Sequence, residues 1–349
     1  MTRLTLPRFF YQQVTSCQPD LLKGSLEGKT VVLTGANSGI GFEAVKHFAT
    51  MNPARIIMAC RSKERGEQAL EEIKSKTGFA NIELWLLDLN SFASVKAFAD
   101  RFDAEGGRLD ILVENAGLWP SATYDKSDDG WVSILQSNVI SPAYHALLLL
   151  PAMIRTATEH STTPRIVVTG SFTHYFVDID ENVVNSPNLL GSFNSQEYYT
   201  QRSMTDKYQD SKLLELFFFR ALQSKLPSSG PSIIVNTIDP GYCATSFNRK
   251  DQSGLSKKMS DWMERRIAMT TEEGSRQIIY GALAGAGSQE EEESLKGAYI
   301  AQSQITEPSD FVLGELGIKA QEKLWNDIVG TLSGNDPMIT TIINGWKSL

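Results

Sequence analysis

The chain of 349 residues is 41% hydrophobic and 21% charged, proportions of an ordinary globular protein that speak against disorder over most of its length. Its formal net charge of −8 gives no basic footprint for nucleic acid and works against adsorption to anionic membranes. Three widely separated cysteines, Cys17, Cys60 and Cys243, show no zinc spacing and suit a reducing, cytoplasmic setting better than a disulfide framework.

Residues 1–27 precede the first clear strand and read as an appended arm, whose aromatics Phe9, Phe10 and Tyr11 are expected to pack onto the domain. Arg3 and Arg8 are there too, but no apolar stretch with a small-residue cleavage site follows them, so a signal peptide is not expected. From Lys29 the pattern sharpens. Thr30-Val31-Val32-Leu33-Thr34 is a short β-branched run, followed by Gly35-Ala36-Asn37-Ser38-Gly39-Ile40-Gly41 and a helical pattern through Phe42, Val45, Phe48 and Ala49. Glycines let such a turn take positive φ and approach a ligand, while the first helical turn offers free N–H groups to a pyrophosphate. The spacing is Gly-x-x-x-Gly-x-Gly, not the Gly-x-Gly-x-x-Gly of the standard dinucleotide fingerprint, and a tight turn without a ligand is the plain alternative.

A second strand, Arg55–Cys60, ends in Arg61. In dinucleotide folds an acid near this point holds a ribose 2′-hydroxyl, whereas an arginine accommodates a 2′-phosphate. No acid stands at 59–61, and Lys63 and Arg65 add positive charge, which points to NADP(H) over NAD; alternatively Arg61 only begins the charged helix Ser62–Lys74. Ile82–Leu87 reads as a strand closing on Asp88-Leu89, with Asn90-Ser91 capping a helix toward Phe102. The next strand, Leu109–Val113, runs into Glu114-Asn115-Ala116-Gly117. This alternation argues for an α/β protein with a doubly wound parallel sheet, whose ligands sit at the carboxyl ends of the strands.

Asp129–Ala157 is a long helical pattern containing Asn138, which Pro142 and Pro151 are expected to bend or break; a buried Asn beside freed carbonyls is a natural water site. The greasiest segment, Ala146–Ile154, is interrupted by Pro151 and falls far short of the ~20 residues of a membrane span. Strand Arg165–Thr169 leads to Gly170-Ser171, where a mere turn serine is the alternative to a functional one. Residues 172–207 are long for a loop and read as an insertion, either a lid or a binding segment.

In Tyr208-Gln209-Asp210-Ser211-Lys212 a helix would stand a phenol and an ammonium on one face. A tyrosine with a pKa of about 10 is a poor proton shuttle at neutral pH, and a fixed positive charge favours its phenolate. The pair is therefore a candidate general acid/base, although a solvated Lys beside a half-buried Tyr gives the same spacing. Leu213, Leu214, Leu216, Phe217, Phe218, Phe219 and Leu222 make the helix apolar on most sides, to be covered by the sheet and by a partner or an added segment. Strand Ser232–Ile238 ends in Asp239-Pro240-Gly241, with Thr245 beyond. Helices are expected around Asp261–Met269, over Thr271–Ala284 and near Ala320–Leu332, a solvated acidic turn at Glu290–Glu293 and a last strand at Gly297–Ile300. No linker marks a second domain, so residues 28–349 are expected to form a single Rossmann-type domain, with substrate-side and C-terminal helical additions over 246–349.

Five motifs in order over residues 28–300 resemble the short-chain dehydrogenase/reductase family: Thr34 to Gly41, Asp88-Leu89, Asn115-Ala116-Gly117, the quartet Asn138, Ser171, Tyr208 and Lys212, and Pro240-Gly241 with Thr245. Thr-Gly-Ala-Asn-Ser-Gly-Ile-Gly-Phe-Glu and the later Ala-Cys-Arg look like the branch of retinol dehydrogenases and the WW-domain oxidoreductase. The resemblance implies that Tyr208 exchanges a proton with a substrate oxygen as hydride passes to or from the nicotinamide. It implies that Lys212 lowers the phenol's pKa and holds the nicotinamide ribose, that Ser171 hydrogen-bonds the carbonyl, and that Asn138 anchors a water. Ser38, Ile40 and Arg61 would contact phosphates and adenosine, Asp88 the adenine, Asn115 the adenosine ribose and Thr245 the carboxamide, with Gly35, Asn37, Gly39, Gly41, Leu89, Ala116, Gly117, Pro240 and Gly241 completing the cofactor site.

Compact family members separate the serine and tyrosine by fewer residues, so 172–207 is an insertion shaping the substrate pocket. Membrane-bound retinoid enzymes often carry an apolar anchor, and the lack of one here argues against a retinoid. The expectation is an NADP(H)-dependent reductase or dehydrogenase of a small hydrophobic ketone, aldehyde or alcohol. The same fold redirected to isomerisation, dehydration or cyclisation of a secondary-metabolite-like substrate is the alternative, and a nucleotide-sensing binding partner is a third. The 213–222 face permits a homodimer.

Overall fold

A computed structural model of the chain describes residues 20–227, 230–244 and 268–346. The arm aromatics Phe9, Phe10 and Tyr11, Cys17, Thr245 and the helix expected from Asp261 lie outside the described residues.

The apolar runs read as strands form one sheet: β1 (Thr30–Thr34), β2 (Arg55–Cys60), β3 (Ile82–Leu86), β4 (Ile111–Glu114), β5 (Arg165–Thr169), β6 (Ile234–Asp239), β7 (Tyr299–Ala301) and β8 (Gln304–Thr306). Their order is β3-β2-β1-β4-β5-β6-β7-β8, parallel throughout except for the antiparallel β7–β8 edge. Strands buried on both faces read as continuous hydrophobic runs, and here alternate residues serve two separate cores. Val31 and Leu33 pack under α1 (Gly39–Thr50) and α2 (Lys63–Thr77). Val32 packs on the other side, against the core built by α3 (Phe92–Ala104) and α4 (Ser141–His160). The doubly wound Rossmann architecture expected from sequence is therefore present, and it brings every strand-end turn to one edge.

The helix containing Asn138 departs from expectation in an instructive way. It begins at Ser133, widens into a π-turn over Gln136–Ile140 and continues unbroken through α4, with Pro142 in its first turn and Pro151 inside. Pro142 has no N–H to return to the preceding turn, and the chain widens immediately ahead of it. The whole stretch Ser133–His160 is long and apolar enough to cross a membrane, which Ala146–Ile154 alone is not; its apolar character is accounted for by burial, since 83% of the most apolar window lies inside the fold.

Residues 172–207 form a 3₁₀ turn (Phe172–Phe176) and three short helices, α5 (Glu181–Val184), α6 (Leu189–Phe193) and α7 (Gln196–Gln201). Then α8 (Met204–Lys225) starts one turn before Tyr208, because Ser203 and Asp206 close a reciprocal capping box. After β6 come α9 (Thr271–Leu283), α10 (Gln289–Ser294), and beyond β8 the helices α11 (Asp310–Leu313), α12 (Glu315–Asn335) and α13 (Met338–Trp346). The acidic segment of α10 is more than solvated surface: Glu292 reaches the buried Arg165 at 3.3 Å and Thr163 at 3.0 Å.

The outer face of α8, expected from sequence to be covered by a partner or an added segment, is covered by the chain itself, and so is part of α4. Trp325 of α12 stacks on Phe218, Trp346 of α13 packs beside Trp325, and Tyr144 of α4 donates to Asp336 at 2.8 Å. The 172–207 segment docks on the same layer: Asp327 accepts from the Leu190 N–H at 3.1 Å and Lys323 donates to the Val184 carbonyl at 3.2 Å.

Candidate active site

A cleft of about 680 Å³ runs along the carboxyl edge of the sheet, walled by the turns after β1 to β6 and by the start of α8. In the first turn Gly35 and Gly39 take φ of 70° and 62°, and a Cβ on Gly35 would stand 2.9 Å from the Ala116 Cα. Gly41 lies behind the wall: a Cβ there would meet the Asn115 amide at 2.5 Å, so this glycine lets α1 close on the sheet rather than facing a ligand. Ser38 stands at the N-cap of α1 with its hydroxyl making no cap bond, and Asn37, Ser38, Gly39 and Ile40 all line the cleft.

Asn115 ties three strand ends together. Its Nδ2 donates to the Thr34 carbonyl at 2.9 Å and its Oδ1 accepts from Thr169 at 3.4 Å, while the Thr34 hydroxyl accepts from the N–H groups of Asn115 and Ala116. Ala116, Gly117, Pro240 and Gly241 continue the wall. At the far end Arg61 and Arg65 flank Ser62, the N-cap of α2, and all three line the cleft; Lys63 instead turns to Glu67. Asp88 accepts from the Asn90 N–H at 2.9 Å and faces the same end, beside Leu89.

At the near end Tyr208 is partly exposed on the cleft wall, with Lys212 one helical turn on and almost fully buried. The Tyr208 phenol hydrogen-bonds with the Ser171 hydroxyl, whose oxygen also accepts from Thr173 at 3.1 Å. Lys212 Nζ donates to the Thr169 carbonyl at 2.7 Å and to Glu215 Oε2 at 2.8 Å. Asn138 sits behind the wall as a clamp: its side chain accepts from the Leu118 N–H at 2.7 Å, and donates to the Leu118 carbonyl at 3.0 Å and to Ser211 at 3.1 Å. The structure thus gathers Ser171, Tyr208 and Lys212 directly and places Asn138 one side chain away, through Ser211.

Electrostatics at this end are set by burial. Burial pushes the Tyr208 phenol above its usual pKa, against the pull of Lys212 and of the Ser171 hydrogen bond, and Glu215 adds to the push. The downward pull expected of Lys212 is present, and desolvation outweighs it. For Lys212 itself burial opposes the charge, but Glu215 and Tyr208 more than offset it and hold the pKa above the usual value. Burial also raises Asp239 at the end of β6 to about 6, although the N–H groups of Gly241 and Phe172 resist.

Residues not singled out from sequence also wall the cleft. Trp119 lies against Tyr208 with ring centroids 5.0 Å apart, and Phe172 and Tyr242 add two more aromatic side chains. Trp119 stands two residues past Gly117 at a strand end, a placement that could have flagged it.

The family model of the short chain dehydrogenases matches residues 29–176. The short chain dehydrogenase/reductase dmxR8 of a Cryptosporiopsis species is 32% identical over 336 residues, spanning 95% of this chain and 99% of that one. The chain belongs to the short-chain dehydrogenase/reductase family. The short-chain dehydrogenase anuD of Penicillium roqueforti is 33% identical and spans 96% of this chain and 85% of its own. Among solved structures, the Pseudomonas aeruginosa RhlG/NADP active-site complex superimposes with a TM-score of 0.59 at 23% identity, over 79% of this chain and 95% of that one. Salutaridine reductase from Papaver somniferum gives 0.56 at 23% identity, over 78% and 99%. Both likenesses carry the fold. Members of this oxidoreductase family use nicotinamide cofactors and act on small substrates.

Proposed function

We propose that the protein is an NADP(H)-dependent oxidoreductase that interconverts a hydrophobic ketone or aldehyde and its alcohol, with Tyr208 as general acid/base. The observation that carries this reading is the Ser171–Tyr208–Lys212 cluster opening onto one cleft whose far end presents Arg61 and Arg65. The residues present fit the nucleotide: Gly35 and Gly39 line the cleft at positive φ, the Ser38 hydroxyl is not spent on capping, and two guanidiniums stand where β2 ends without an acid. The NADP in the RhlG complex supports the same choice.

When bound, the nicotinamide supplies or accepts the hydride. Tyr208 gives its proton to the substrate oxygen in reduction and takes it back in oxidation. Ser171 hydrogen-bonds that oxygen and fixes it beside the phenol. Lys212 keeps a positive charge one turn from Tyr208, which favours the phenolate formed when the proton leaves. Trp119, Phe172 and Tyr242 give the near end an aromatic wall, which supports a hydrophobic substrate. A cytoplasmic location belongs to the proposal, supported by the free thiols Cys60 and Cys243.

A panel of ketones, aldehydes and alcohols assayed with NADPH and NADP tests the reading. Consumption of NADPH by a hydrophobic carbonyl is expected. Product formed with no change in nicotinamide absorbance would place the chain with redirected, non-redox members instead.

A further inference from the structure

Beneath the cleft floor lie four buried ionisable side chains that the proposed chemistry uses only in part. Lys212 and Glu215 form an ion pair at 2.8 Å with 4% and 1% of their side chains exposed. One strand over, Glu114 is as deeply buried: one carboxylate oxygen lies 2.6 Å from His145 Nδ1 and the other accepts from Thr34 at 3.2 Å. Glu215 stands among Leu213, Leu214, Leu216 and Phe217, a helix stretch where a leucine would pack without any desolvation cost. A buried ion pair contributes little to stability beyond what an apolar replacement gives, so stability alone is a weak reason for a carboxylate here. What the carboxylate does is direct the ammonium. With the Thr169 carbonyl it takes two of the three Nζ donors, and it faces Lys212 from the side away from the cleft.

We propose that Glu215 is a positioning residue that anchors Lys212 beneath the cleft and, by sharing the ammonium's charge, sets the pH at which Tyr208 releases its proton. The proposal rests on the reading of Tyr208 as the proton-exchanging group. Titratable or charged groups also stand on the elements packed around the pair: Glu114 and His145 on β4 and α4, Asp239 on β6, His174 in the 3₁₀ turn, and Asp210 on α8 itself, paired with Arg202 just ahead of that helix. Glu114 works on Glu215 in the same sense as burial, and together they hold its carboxyl up to about 7 against the pull of Lys212, with burial the larger cause. When ionised, Glu215 raises Tyr208.

The test reads Tyr208 directly, without turnover. The ultraviolet tyrosinate titration of the protein saturated with NADP, minus that of the Tyr208→Phe variant, gives the Tyr208 midpoint; the same difference is taken in a Glu215→Gln background. Glu215→Gln keeps an acceptor for Lys212 but removes the negative charge, so the midpoint is expected to fall by at least about one pH unit. Glu215→Asp is expected to give a smaller fall, because its shorter carboxylate withdraws from Lys212 while keeping the charge. A midpoint in Glu215→Gln that coincides with that of the parent, in a variant with an unchanged melting profile, overturns the proposal. Should Glu215→Gln not fold, an unmoved midpoint in Glu215→Asp does the same. Failure of the parent to bind NADP, or full turnover in Tyr208→Phe, would count against the proposed function and is read separately.

Discussion

Trp325 stacks on Phe218 with ring centroids 5.2 Å apart and planes only 18° from parallel. The tryptophan belongs to the C-terminal addition and the phenylalanine to α8, the helix that carries Tyr208 and Lys212, so the added segment holds the outer face of the helix on which the proposed chemistry stands. Trp325 is 5% exposed and Phe218 fully buried. Truncating such a side chain removes its transfer free energy and leaves a cavity, so Trp325→Ala is expected to cost about 3–5 kcal/mol in urea unfolding. A loss within ordinary surface values would show that α12 does not brace α8.

Arg61 and Arg65 should act on NADPH and hardly on NADH. Both guanidiniums line the end of the cleft beyond β2, and hydrogen bonds to a charged partner are worth about 1.5–3 kcal/mol each. Arg61→Ala and Arg65→Ala are each expected to weaken NADPH binding roughly ten- to hundred-fold in a fluorescence titration. Equal losses for the two nucleotides would remove the basis for the NADP assignment.

Asp239 should make its mark on the pH dependence of stability. Burial raises its folded pKa to about 6 from a usual 3.8. The sign follows: a carboxyl whose folded pKa is raised gives stability that is fully present below the unfolded pKa and is lost as the pH rises through the folded one. Asparagine can still accept the Gly241 N–H, now held at 3.0 Å, yet it never ionises. The unfolding free energy of Asp239→Asn relative to the parent is therefore expected to climb between about pH 4 and pH 6 and level off above. A difference flat across that window would mean that the folded protein does not hold this carboxyl protonated.

The parts of the fold legible in sequence are those in which local pattern and global position agree. β1, β2 and β5 fall on the expected residues because β-branched runs buried on both faces leave no polar alternation to confuse. Tyr208, Lys212 and Ser171 were legible only as part of a set of motifs in order, since the helical spacing of the first two and the strand-end place of the third each left a plain alternative. What was not legible depends on distant packing. The continuity of α4 through Pro151 rests on the core surrounding it, whereas the start of α8 at Met204 is a local matter, fixed by the Ser203–Asp206 capping box. Trp119 and Glu215 reach the site through folding and no motif announces them, whereas the charge of Arg65 beside Arg61 was already read from sequence. Asn138 was legible as a buried asparagine, but the bonds of its side chain to Leu118 and Ser211 were not.

The central claim is that Tyr208 is the proton donor and acceptor for hydride transfer at the nicotinamide. Single-turnover oxidation of bound NADPH by an active carbonyl substrate, compared between the parent and Tyr208→Phe, tests it most directly, with NADPH affinity measured alongside. The rate is expected to fall by about 10²–10⁴ while the affinity changes little. Hydride transfer at the parental rate in Tyr208→Phe would contradict the account.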